Sequence, residues 1–228
     1  MSYQHRASYN GPLAPVQVEP TTTRPRGGIY RQHAKRVLDV LLVLVAALPV
    51  LAVILPLAFL VALSGRSPFY VQERVGQNGR VFRMWKLRSM VSDADAVLEL
   101  HLSGDPAARA EWDHHQKLRK DPRITTIGAF LRRSSFDELP QLWNVLTGDM
   151  SIVGPRPMML NQRVLYPGTE YYAMRPGITG FWQIAARNES SFRERAQFDR
   201  SYFQQISLAT DLRVIARTVG VVMKATGV

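Results

Sequence analysis

The chain has 228 residues and carries 29 Lys and Arg against 18 Asp and Glu, a formal net charge of +11. Such a balance favours polyanionic partners: nucleic acid, anionic lipid headgroups or phosphorylated substrates. With no cysteine anywhere, disulfides and thiolate metal sites are excluded, and the length suits one core-bearing domain with appendages.

Residues 1–33, with "NGPLAPVQVEPTTTRPRGG", are rich in Pro, Thr and Gly. They offer too little apolar surface to offset the entropy of ordering, so a disordered tail is expected. The next segment, 34–66, contains the charge-free run "VLLVLVAALPVLAVILPLAFLVAL" from Val40 to Leu63. Its 24 residues as a straight helix reach about 36 Å, enough to cross a hydrocarbon core of about 30 Å. Both flanks are basic. Residues 1–39 hold six Arg and Lys against Glu19 and Asp39, and residues 66–90 hold six against Glu73. Basic flanks prefer the cytoplasm, so a spanning helix would strand one of them. Pro49 and Pro56 each remove a backbone donor. Together these features favour a re-entrant helix that turns near Pro49 over a simple span.

The segment 67–206 reads as a cytoplasmic domain. "PFYVQERVGQNGRVFRMWKLRSM" has two Val- and aromatic-rich runs around Gly76-Gln77-Asn78-Gly79, a β-hairpin signal. Lys86 and Arg88, two residues apart, share a face if the second strand continues that far. Ser92 is placed as the cap of a short helix ending near Gly104, and Asp105-Pro106 opens another. Trp112 is expected in a core or interface, with His114 and His115 on the surface.

In "RRSSFDELPQLWNVLTGDM", Leu139, Leu142, Trp143 and Leu146 form an amphipathic stripe closing at Gly148. Asp137 fits the N-cap of that helix, and Ser135–Glu138 fits a capping box. The rival reading is chemical. A helix N-terminus and Arg132 would keep Asp137 ionised near neutral pH. Arg156, in Gly154-Pro155-Arg156-Pro157, is suited to bidentate phosphate contact. Asp137 with Glu138 could hold Mg²⁺ alongside substrate phosphates. In 207–228, Leu212, Ile215, Val219 and Val222 share one face of a helix that either packs on the core or lies on anionic lipid. The fold class is α+β and mainly helical: a re-entrant membrane helix, a small β-hairpin and a helical catalytic domain.

"RSSFDELPQLWNVLTGDMSIVGPRP", "DPRITTIGAFLRR", "VFRMWKLRSM" and "RPGITGFWQI" closely resemble the bacterial sugar transferases, the monotopic polyprenyl-phosphate phosphoglycosyl transferases. The resemblance runs from about Lys35 to the C-terminus and implies a minimal catalytic unit, without the extra helices and domain that longer relatives carry. It also implies transfer of a sugar-1-phosphate from a UDP-sugar, glucose or galactose first, to undecaprenyl phosphate with release of UMP. Exopolysaccharide biosynthesis, at the cytoplasmic face of the inner membrane and with Mg²⁺, is the implied setting. Membrane lipids are then partners and nucleic acid is not; the resemblance is silent on oligomeric state. It makes Asp137 the nucleophile and ties Glu138 to the metal. Arg132, Arg156 and Lys86 fall on the family's basic motif positions, Arg88 joins them as a candidate phosphate ligand, and Asp199 in "FDRSYF" is a supporting acid. Leu87 and Thr126 depart from the family pattern, outside the dyad. A basic membrane adaptor is the alternative from another class, but it gives no reason for Asp137-Glu138 to sit between Arg132 and Arg156.

Overall fold

The structure is a computed structural model that describes residues 28–65, 67–115, 118–185 and 194–223. Most of the tail, 1–27, lies outside the described residues; 28–34 are already helical and lead into the first long helix.

That helix, α1 (Lys35–Ala62), stays helical through both Pro49 and Pro56. The turn expected at Pro49 is not formed. Each proline deletes one i→i−4 bond, and the unbroken apolar run on both sides keeps the remaining ladder intact. With the turn before it, α1 is long and apolar enough to cross a membrane, yet only 11% of its most apolar window is buried. It does not stand clear of the domain. Near its start Asp39 accepts hydrogen bonds from Ser151 Oγ at 2.8 Å and Ile152 N at 3.0 Å. Val43 joins a core cluster with Phe82, Met84, Val145 and Met150. Near its end Ile54, Ala58 and Val61 pack with Leu87 and Leu131. The opposite face, with Leu41, Leu44, Leu48, Leu51, Leu55 and Phe59, is exposed along its whole length.

Strands β1 (Phe69–Val75) and β2 (Val81–Leu87) form the expected antiparallel hairpin, with Phe69 opposite Leu87. Asn78 and Gly79 take positive φ in the connecting turn, where Asn-Gly is tolerated. Helices α2 (Ala94–Gly104) and α3 (Pro106–His115) pack on each other through Leu98, Leu102 and Ala108, with Trp112 partly buried against them. Asp105 Oδ1 caps α3 by accepting from Ala107 N at 2.9 Å and Ala108 N at 3.1 Å. By contrast, α2 starts after Asp93 with no side-chain cap, so Ser92 does not serve there. The side chains of His114 and His115 lie outside the described set.

Helix α4 (Thr126–Ser134), a 3₁₀ turn (Phe136–Glu138) and α5 (Gln141–Thr147) follow. Arg36 of α1 donates to the carbonyls of Val145 and, at 2.8 Å, Leu146, which satisfies the open end of α5 beside Gly148. The stripe assigned to α5 is only partly right. Leu139, Leu142 and Leu146 are partly buried, whereas Trp143 is exposed and Gln141 and Asn144 are buried. Asn144 is drawn in by the hairpin: its Oδ1 accepts from Trp85 N at 3.0 Å and its Nδ2 donates to Arg83 O at 2.8 Å.

Strands β3 (Ser151–Val153) and β4 (Gly177–Thr179) pair in parallel. Their backbones pass so closely that a Cβ on Gly177 would sit 2.1 Å from Gly154 N. Short α6 (Phe181–Ala185), α7 (Arg195–Gln205) and α8 (Leu208–Met223) complete the fold. The packed face of α8 is Val214 and Ile215, with Asp211 receiving Tyr202 Oη at 2.7 Å and Lys35 Nζ at 2.6 Å. Leu212 and Val219, assigned to one stripe with Ile215, are exposed.

Candidate active site

Helix α4 ends at Ser135, whose φ of 60° is the left-handed stop, and the same residue opens the 3₁₀ turn. The dyad therefore sits in a tight corner between two helices. Pro140, not Asp137, precedes α5, and no side chain of Ser135, Asp137 or Pro140 makes a cap bond. Both capping readings are thereby corrected: α4 uses its last turn up to Ser135, leaving too little chain for an Asp137 cap.

Strand β2 delivers Lys86 into this corner. Its ammonium lies 3.0 Å from Glu138 Oε1 and 3.6 Å from Asp137 Oδ2. Asp137 is 7% exposed. Burial pushes its carboxyl above the usual range, Lys86 pulls it down, Glu138 pushes it up and Arg132 pulls it down again. The expected ionising field of a helix N-terminus is absent at this 3₁₀ turn, and Lys86 and Arg132 oppose the burial without overcoming it, so the carboxyl stands above its usual range. Arg132, on α4, is fixed by donating from Nε to Ser89 Oγ at 3.0 Å.

An open cleft of ≈ 270 Å³, solvent included, runs from the dyad to the arginine of the Pro-Arg-Pro turn. Arg74, Lys86, Glu138, Gln141, Arg156 and Gln183 contribute to its lining. Of the residues singled out in the sequence, Lys86, Glu138 and Arg156 thus share one cleft; Asp137 meets Lys86 beside it, and Arg132 acts on Asp137 through its charge. Arg88 does not join them. Its Nε donates to Ser67 O at 2.9 Å and its guanidinium lies 5.9 Å from the Tyr70 ring centre, back along the hairpin. Asp199 is buried on α7 and accepts from Tyr166 Oη at 2.8 Å; burial raises its carboxyl to about 6. Pro49 stands in α1, away from the cleft lining.

Sequence reasoning missed Arg74, Gln141, Trp182, Gln183 and Arg195. Arg156 Cζ lies 5.6 Å and Arg195 Cζ 5.9 Å from the Trp182 ring centre. Trp182 and Gln183 do fall inside "RPGITGFWQI", but nothing in that string says what they face. Among the described residues no group of three or more His, Cys, Asp or Glu side chains is gathered for a metal. The dyad still suits a hard cation that takes one or two carboxylates and completes its shell from phosphates and water. Lys86 already shows that a positive charge can contact both carboxylates.

A family model described as bacterial sugar transferase matches residues 30–225. The UDP-galactose-lipid carrier transferase of Erwinia amylovora is 47% identical over 202 residues, covering 86% of this chain and 42% of that protein. The undecaprenyl-phosphate galactose phosphotransferase of Salmonella typhimurium is 41% identical, covering 85% and 41%. The exopolysaccharide production protein ExoY of Sinorhizobium fredii is 42% identical, and 93% of each chain is covered. This chain therefore spans about two-fifths of the first two relatives and nearly all of the third.

Proposed function

The chain belongs to the bacterial sugar transferase family, and from that premise we propose that it is a phosphoglycosyl transferase. It moves a sugar-1-phosphate from a UDP-hexose to undecaprenyl phosphate and releases UMP. The observation that carries this reading is the contact of Lys86 with both Asp137 and Glu138 at one end of a cleft that Arg156 lines. The names of the Erwinia and Salmonella relatives put galactose first, with glucose as the alternative. The ExoY relative supports a role in exopolysaccharide synthesis.

Asp137 is the nucleophile. Its carboxylate oxygen attacks the sugar-side phosphorus, the phosphorus–oxygen bond to the nucleotide breaks, and UMP departs with the electron pair. The acceptor phosphate then attacks the same phosphorus and frees Asp137. Dividing the transfer lets one site serve a water-soluble donor and then a lipid acceptor. Lys86 and Arg132 keep the buried carboxylate ionised and neutralise charge on the transferred group. Glu138 with Asp137 would hold Mg²⁺, which when bound supplies further charge neutralisation on the diphosphate.

The membrane reading follows from α1. Both of its ends pack on the same domain, at Asp39 and Val43 and again at Ile54 and Val61. A helix spanning the bilayer would carry one end away from that domain. The exposed stripe from Leu41 to Phe59 fits a helix sunk into the bilayer from the cytoplasmic face with both ends kept on that side, and membrane lipids as its solvent.

The test is intact-mass measurement after incubation with UDP-galactose or UDP-glucose and Mg²⁺, without acceptor. One hexose phosphate should be added, on Asp137. Asp137→Asn should fold, yet show neither adduct nor turnover. An active Asp137→Asn enzyme, or an adduct elsewhere, removes Asp137 from its role.

A further inference from the structure

Two amides are buried one turn apart on α5, and only one of them is used. Asn144, 1% exposed, is bound through both polar atoms of its side chain: Oδ1 accepts from Trp85 N at 3.0 Å and Nδ2 donates to Arg83 O at 2.8 Å. Gln141, 2% exposed, makes no side-chain hydrogen bond among the described residues. It lines the cleft instead, with Met84, Lys86, Glu138 and Ile178. Buried amides are ordinarily paired, because an unpaired one loses its hydration without return.

The place of Gln141 in the fold decides what its amide can meet. Leu139 and Pro140 both keep right-handed helical backbone between the 3₁₀ turn and α5, so the coil runs on from Phe136 to Thr147. Gln141 follows Glu138 by three residues and Asp137 by four, the spacings that bring side chains onto one helix face. Asn144, pinned to β2, fixes the same helix against the strand that carries Lys86. Lys86 is turned to the carboxylates, 3.0 Å from Glu138 Oε1 and 3.6 Å from Asp137 Oδ2, and leaves the amide alone. Met84 and Ile178 have nothing to offer it but apolar surface. The result is a neutral donor within one turn of the dyad, open to whatever group enters the cleft.

We propose that Gln141 is a further catalytic residue, whose amide N–H donates to a non-bridging oxygen of the phosphoryl group as that group moves onto and off Asp137. This rests on the phosphoglycosyl transfer proposed above. In the first displacement the bond between an Asp137 oxygen and phosphorus forms while the bond from phosphorus to the bridging oxygen breaks, and the electron pair leaves with UMP. In the second, an oxygen of the acceptor phosphate bonds to phosphorus and the electron pair returns to the Asp137 carboxylate. Gln141 gives up no proton in either step. The phosphoryl group must come to Asp137 whichever hexose it carries, so a side chain one turn from Asp137 meets its oxygens before it meets the sugar. An amide steadies those oxygens as charge redistributes, without adding a cation that would pair with the nucleophile as Lys86 does.

The experiment uses the full-length protein in detergent with Mg²⁺ and either UDP-galactose or UDP-glucose. Intact mass reads adduct formation, and UMP release reads turnover. Gln141→Met keeps the length of the side chain and removes the donor. Adduct formation should slow about 100-fold, the order seen when one donor to a developing oxyanion is lost. Transfer from the adduct to undecaprenyl phosphate should slow by a similar factor, for both hexoses alike, with the donor KM within threefold. The melting temperature should hold or rise, because an unpaired buried amide has given way to an apolar side chain of the same size. Gln141→Glu keeps the shape but is acceptor-only when ionised; it should lose at least as much rate, and it decides the question if the Met variant does not fold. Wild-type rates in the variants overturn the proposal. A melting temperature that falls along with the rate makes Gln141 a structural residue and overturns it too. Loss confined to one hexose puts the amide on a sugar hydroxyl, and loss confined to KM puts it in ground-state binding; neither is the role assigned. Should the wild type form no adduct and release no UMP, the transfer itself fails; an active wild type equalled by Gln141→Met sinks only the role of Gln141.

Discussion

Replacing Lys86 with Met keeps the length of the side chain and removes the cation that touches both members of the dyad. At 3.6 Å from Asp137 Oδ2, and with an effective dielectric of about 20, that charge pair is worth about 4–5 kcal/mol before compensation. Arg132 and solvent recover part of it, leaving a net loss of ~2 kcal/mol, which is about 30-fold in rate at 1.4 kcal/mol per tenfold. The lost interaction opposes the burial that already holds the Asp137 carboxyl high. The acid limb of adduct formation therefore moves to higher pH in Lys86→Met. Stability follows the same sign. A carboxyl whose folded pKa is raised costs stability once pH climbs past its unfolded value, so the variant melts lower at neutral pH and the deficit closes on acidification. Stopped incubations with UDP-hexose, analysed by intact mass across pH, read the limb; thermal melts read the stability. A rate within threefold of wild type and an unmoved limb would refute the contact between Lys86 and the nucleophile.

The other expectations come from different parts of the fold. Because the chain has no cysteine, single cysteines at Ile29 and Ser67 should react with membrane-impermeant reagents only from the cytoplasmic side, and periplasmic labelling of either would sink the one-sided placement of α1. Asp199, raised by burial to about 6 from 3.8, binds a proton in the folded state that the unfolded state has lost. Between about pH 4 and 6 stability should thus fall as pH rises, by up to ~3 kcal/mol; chemical denaturation should show that slope flattened in Asp199→Asn. Gly177→Ala would drive a Cβ into the Gly154 backbone, costing ~2–3 kcal/mol and lowering the melting temperature by about 5–10 °C.

What the sequence disclosed was whatever depends on neighbours along the chain. The Gly76–Gly79 turn, the Asp105 cap and the Gly148 stop are each written in four or five consecutive residues, and each forms as expected. Ser135-Phe136-Asp137-Glu138 misleads for the same reason. The string matches a capping box, but its geometry is set by α4 running through Arg132 and Arg133 to a left-handed stop at Ser135. Burial of Asn144 breaks the hydropathy pattern of α5 because β2 offers a backbone donor and a backbone acceptor that one amide satisfies together. The meeting of Arg74 with Arg156 in the cleft lining was invisible, since residues so far apart in the chain leave no linear pattern.

On the proposed function, the placement of the dyad ties chemistry to membrane. Phe136 and Leu139 bracket Asp137-Glu138, and both pack against the cluster formed by Ile54, Ala58 and Val61 of α1 with Leu87 and Leu131. Leu87 is the residue after Lys86, and Leu131 the residue before Arg132, so the two cations that attend Asp137 hang from anchors in the same cluster. With α1 in the bilayer as proposed, a shift of that helix would carry Asp137 and both of its cations together, with their spacing preserved. A lipid phosphate is confined to the membrane surface, whereas a nucleotide sugar arrives from any direction in the cytoplasm. Fixing the dyad to α1 therefore matters most for the second displacement, where the position of the acceptor cannot adjust to the enzyme. Truncating Ile54 or Val61 to Ala should on this reasoning slow sugar-phosphate transfer to undecaprenyl phosphate more than it slows adduct formation from the donor, and equal slowing of both steps would show that the cluster serves stability alone.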